Sequence, residues 1–152
     1  TTRNGQGSPI SVIKVETRTL SDGADFIRPQ FTIYLSNKGD GRVFSPKENI
    51  ETVCSPVGID YSAADVIAID DVSFSGYNLK RGDIKCDLKE GTLKLREEET
   101  VQNVNYFRCT LNPGLLRSNT PNYETPLYIK LKYGYTDTIT RNVKIETVND
   151  GY

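Results

Sequence analysis

The chain has 152 residues, with Lys+Arg 19 against Asp+Glu 20 and a formal net charge of -1. That balance argues against a broad electrostatic grip on nucleic acid, which needs a basic face or stripe. His 0 removes histidine-based catalysis and histidine metal sites, and no apolar run reaches the roughly 18 residues of a membrane-spanning helix.

Val, Ile, Thr, Tyr and Phe supply 52 of the 152 residues, and Ala only 4, which is a β composition. The opening TTRNGQGSP is polar and Gly-containing, so residues 1–9 read as an arm or linker. The absence of any Met points to a processed chain or an excised piece. Residues 10–20 are β-rich, but Val12 and Ile13 adjoin, so the alternation changes phase there and a bulge is expected. Phe31, Ile33 and Leu35 then alternate with polar residues, and 37–41 form a turn of types that tolerate positive φ. A return strand is expected over 42–45, ended by Pro46. Residues 66–74 place Val66, Ala68, Val72 and Phe74 on one face, interrupted by Asp70, which should lie near an edge or find a donor.

Short strands are predicted at 84–88 and 92–95, joined by the Lys89-Glu90-Gly91 turn. The acidic run 97–99 reads as an exposed turn, 101–111 as a strand and 112–122 as a loop. Leu127, Ile129, Leu131, Tyr133 and Tyr135 make the strongest alternation in the chain, with Tyr128, Lys130 and Lys132 facing the other way. A turn at 136–138 is expected to lead into a last strand over 139–148, with Val143 and Ile145 inward.

Eight or nine strands with frequent turn signals predict an all-β fold in one domain over 10–148, with 149–152 a tail. The expected architecture is an antiparallel two-sheet β-sandwich, with an up-and-down barrel as the alternative. Its core is expected to contain Phe31, Ile33, Leu35, Val66, Val72, Leu127, Ile129 and Leu131.

Cys86 and Cys109 share the core-facing phase of neighbouring strands, so a disulfide between them is expected, with buried free thiols the alternative. Cys54 is left over and reads as a buried thiol. No CxxC occurs, and three cysteines without histidine make a poor zinc set. The turn acids Asp22, Asp40, Asp60 and Asp83 offer oxygen ligands that would suit calcium. None has EF-hand spacing, and solvated turns account for them, so no metal and no cofactor is expected. No catalytic residue is assigned, because a serine or cysteine nucleophile lacks its usual base. Arg81-Gly82-Asp83 spells an integrin-type tripeptide, yet a turn explains all three residues. Outward tyrosines such as Tyr128 could stack on sugar rings or fill an interface, against ordinary sheet packing for most of them.

Two stretches carry a resemblance. Residues 31–43, FTIYLSNKGDGRV, resemble the strand-turn-strand of adhesion-type immunoglobulin-like repeats on prokaryotic cell surfaces. Residues 123–145, YETPLYIKLKYGYTDTITRNVKI, are similar to the closing hairpin of secreted β-rich surface proteins from archaea, and the cysteines in IKC and FRC fit that pattern. The resemblance implies an immunoglobulin-like extracellular module with no catalytic residues to transfer.

The expected function is a structural or adhesive surface module. Its partners are other copies of itself or other surface proteins, with no nucleic acid and no direct membrane span. A filament built by strand exchange would use Ile10, Val12, Ile13 and Val15 as the strand lent to a neighbour. The alternatives are a carbohydrate-binding accessory module and a viral capsid or spike sandwich.

Overall fold

A computed structural model describes residues 8–55, 58, 60–97, 104–122 and 124–145. The chain is all-β. Its strands in order are β1 (Ile10–Asp22), β2 (Phe26–Asn37), β3 (Arg42–Phe44), β4 (Val66–Phe74), β5 (Tyr77–Asn78), β6 (Ile84–Cys86), β7 (Thr92–Lys94), β8 (Tyr106–Leu111), β9 (Leu116–Arg117), β10 (Leu127–Lys132) and β11 (Gly134–Thr136). One short helix, α1 (Ile50–Val53), interrupts them, capped by the Asn49 side chain, which accepts from the Glu51 amide. Residues 1–7 of the expected arm, Glu98, Glu99, Val101, Tyr123 and Val148 lie outside the described residues.

Among the described residues three antiparallel sheets form. The largest runs β1-β2-β8-β6, with β9 also pairing β2. A second runs β10-β4-β5, with β7 also on β4, and the third is β11 with β3. The sheets are open, which excludes the barrel. One apolar cluster joins the inward residues of the two larger sheets: Phe31, Ile33, Leu35, Phe107, Cys109 and Leu111 from one, and Ile67, Ile69, Val72 and Phe74 from the other. The Phe31 and Phe74 rings meet edge-on at 5.0 Å, a favoured aromatic geometry.

Two bulges set which residues reach that core. In β1 the register slips between Val12 and Lys14, as the adjoining Val12 and Ile13 predict. In β4, Lys130 of β10 faces Asp71 while Leu131 faces Ile69, which leaves Asp70 as the extra residue. The phase therefore changes within β4: Ile67 and Ile69 are buried before the bulge, and Val72 and Phe74 after it. Expecting Val66 and Ala68 inward assumed unbroken alternation; both are only half-buried. Leu127, Ile129 and Leu131 pack on the core but are also half-buried, because β10 is an edge strand.

The 37–41 turn forms, with Asn37 Oδ1 accepting from the Gly39 amide at 3.0 Å. It does not return the chain onto β2. Instead β3 leaves that sheet and pairs with β11, Gly134 opposite Phe44 and Tyr135 opposite Val43. The Gly41 amide donates to the Tyr135 hydroxyl at 2.6 Å, fastening β11 to the turn. Close approach demands glycine on both sides of this junction. A Cβ on Gly134 would overlap the Phe44 ring, and one on Gly41 would overlap the Thr136 carbonyl oxygen. Gly134→Ala is expected to cost about 1–3 kcal/mol through overpacking, read as a lower urea midpoint with an unchanged slope.

The expected last strand is overturned where it is described. Residues 137–145 carry no strand, and Ile139, Val143 and Ile145 are 80%, 81% and 88% exposed. The reason is topological: Thr136, the first residue of its expected turn, belongs with Gly134 and Tyr135 to β11, which is held by β3.

Candidate functional site

Cys86 and Cys109 are directly opposite one another on β6 and β8 and are bonded, with Cα atoms 4.0 Å apart. Cys109 is buried in the core. Cys54, expected buried, is exposed at the C-terminal end of α1: a four-residue helix with only Val53 buried has no core face for it.

The groups that offered chemistry in the sequence are largely used in holding turns. Asp22 accepts from the Gly114 amide at 2.9 Å and Asp60 from the Ser62 amide at 3.0 Å. Asp83 accepts from the Asn78 amide and from Arg81, each at 3.1 Å, so the acid of the Arg81-Gly82-Asp83 tripeptide is tied inside its own turn. Among the described residues no three His, Cys, Asp or Glu gather as a metal site. A cleft of about 500 Å³ lies between the 37–43 segment and 95–97. Several of its polar groups are also paired: Asn105 exchanges two hydrogen bonds with the Arg96 backbone, at 2.6 and 2.9 Å, and Arg42 meets Asp65 at 3.5 Å.

The outward tyrosines do not form one platform. Tyr106 stacks on Tyr34, centroids 5.5 Å apart and planes tilted by 43°, on the outer face of the β2–β8 pair. Tyr128, also exposed, stands on β10 of the other sheet. A flat array for sugar rings needs such groups on one face, and these are divided between two sheets.

What remains open is the side of the molecule bounded by β10. Among the described residues β10 has no strand on its other side, and its inward Leu127, Ile129 and Leu131 are incompletely covered. Its outward lysines are drawn back over β4: Lys132 and Lys130 meet the bulge residue Asp70 at 3.0 and 3.2 Å, and Lys80 meets it at 3.2 Å. The hydrogen bond from Lys132, aided by those from Lys130 and Lys80, holds the Asp70 carboxyl well below the usual carboxylate range, against a partial desolvation that acts the other way. A carboxyl depressed in the folded state stabilises above its unfolded pKa, about 4, and loses that contribution as pH falls toward the folded value. Asp70→Asn should therefore lower stability at pH 7, and the gap to the parent should narrow as pH falls from about 4 to about 2. Urea titrations across this pH range read this, and added salt should shrink the gap.

At the opposite edge, β1 pairs with the chain's own β2 from Ile10 to Asp22. Ile10 is buried there, Val12 and Ile13 are half-buried and Val15 is exposed. The strand expected to be lent to a neighbour is thus part of the chain's own largest sheet. No protein-family model, curated protein or solved structure matches this chain.

Proposed function

We propose that this chain is a non-catalytic extracellular structural or adhesive module, a subunit that assembles with further copies of itself at a cell surface. The observation that carries the reading is the C-terminal segment 137–145. It keeps an apolar residue at 139, 143 and 145 in solvent, on a molecule whose other edge, β10, is incompletely covered. Apolar groups exposed together at that density mark an interaction surface in a soluble protein. The Cys86–Cys109 disulfide supports an oxidising setting, and the pairing of the turn acids supports a structural rather than a catalytic role. In this reading the two larger sheets are the faces of an immunoglobulin-like β-sandwich, in line with the resemblance to adhesion-type surface repeats.

Sedimentation of the oxidised full chain over a wide concentration range tests the proposal. Species heavier than the 17.0 kDa monomer are expected, growing with concentration. A monomer at every concentration would overturn it.

A further inference from the structure

The geometry points to a specific donor and acceptor: we infer that segment 137–145 of one copy adds as an antiparallel strand, in a second copy, to the edge of β10 that no strand occupies among the described residues. The inference rests on the self-assembly reading above and names the surfaces that would carry it.

The first ground is pattern. Nine residues at about 3.3 Å each span more than the six of β10. Aligned antiparallel with Val143 opposite Ile129, the segment also sets Ile145 opposite Leu127 and Ile139 opposite Tyr133. All of these β10-side residues pack against the core while remaining half-buried. Arg141 falls opposite Leu131, where its aliphatic stem can cover the leucine while its head reaches water. On the outward face the same register places Thr140 opposite Lys132 and Asn142 opposite Lys130, so no like charges meet directly. Lys144 falls opposite Tyr128. A slip of one residue would turn the apolar set outward.

The second ground is that the chain's own segment is kept from this position. In one chain the same register is a hairpin whose loop consists of the residues around Thr136. Gly134, Tyr135 and Thr136 are instead paired with Phe44, Val43 and Arg42, and the Tyr135 hydroxyl is bonded to the Gly41 amide. Closing the hairpin would dismantle β11. The segment leaves the far end of that strand outside any sheet, and among the described residues no strand lies on the outer side of β10.

The third ground is the contrast between the two long edges. β1 is guarded by its bulge and by Lys14, Glu16 and Arg18 along its length, devices that discourage edge pairing. β10 lacks a bulge of its own, since the extra residue is Asp70 in β4, and its lysines are held over β4 by that carboxylate. Donor and acceptor lie at different places on the chain. The contact is therefore head-to-tail and repeats into a chain of copies unless its rotation closes a ring.

Full chains in a Cys54→Ser background test this directly. One carries Val143→Cys, a second Ile129→Cys, and mild oxidation follows mixing. A cross-linked species of about twice the 17.0 kDa monomer mass is expected only in the mixture, and a chain carrying both substitutions should give an intermolecular ladder. Val143→Asp lies on an exposed segment and should leave the fold intact while raising the half-assembly concentration about tenfold or more; Val143→Ile should assemble like the parent. Three results would overturn the inference: an intramolecular cross-link in the doubly substituted chain, no cross-link in the mixture, or unchanged assembly of Val143→Asp. If the parent assembles while these results hold, only the donor–edge inference fails; a parent that stays monomeric overturns the self-assembly reading as well.

Discussion

Phe107→Ala is expected to cost about 3–5 kcal/mol, enough to remove a large part of a typical domain's stability. Phe107 is buried on β8, which lies between β2 and β6, and it stands opposite Ile33 in the ladder. Truncation there opens a cavity against β2 and β8, each paired on both sides, so the surroundings can relax little. Ile129→Ala on β10 provides the comparison. Among the described residues that strand is paired only on its β4 side, and the isoleucine is half-buried, so the loss should be nearer about 1–1.5 kcal/mol in the monomer. Urea unfolding at a concentration where the chain is monomeric reads both. Equal costs would mean that β10 is covered as fully as β8.

Removing the Cys86–Cys109 bond should cost about 3 kcal/mol, the loop-entropy value for a closed loop of about 24 residues. The bond joins β6 to β8 across a sequence separation of 23. Among the described residues the three-residue β6 has only β8 as its ladder partner, so the loss should be felt first in β6. Cys86→Ala/Cys109→Ala avoids leaving a buried thiol opposite an empty position. Its unfolding midpoint should match that of the reduced parent and lie below that of the oxidised parent. Intact mass gives the companion result. Alkylation of the unfolded, unreduced chain should add one group, at Cys54, and three after reduction. Three groups before reduction would show that the bond is absent.

The inward phase of these two cysteines was legible because it needs only the local alternation around each, whereas their pairing across a separation of 23 residues, with β7 of the other sheet between them, was decided by the fold. The span of β4, the bulge in β1 and the outward phase of Tyr128, Lys130 and Lys132 were legible from local alternation too. Asp70 stood out as an acid on an otherwise apolar face that should find a donor, and three lysines meet it, but the bulge there was not legible. An extra residue reverses the phase beyond it, and the pattern alone could not say whether Ile67 or Ala68 faced inward. The position of Cys54 and the short β9 inside an expected loop depended on neighbours remote in sequence.

Read by itself, the sequence determined that this is a β protein, roughly where its strands run and that Cys86 and Cys109 face inward, because side-chain alternation and turn chemistry act over a few residues. Tertiary structure alone decided partners and edges. Residues 42–44 read as a return strand, yet they leave β2 for β11. Residues 139–145 read as a closing strand, yet they stand in solvent once β11 is occupied. An alternating segment specifies a face to bury but not the strand beside it. That choice is made by long-range pairing, here by Gly134 fitting against Phe44 and by Tyr135 reaching the Gly41 amide.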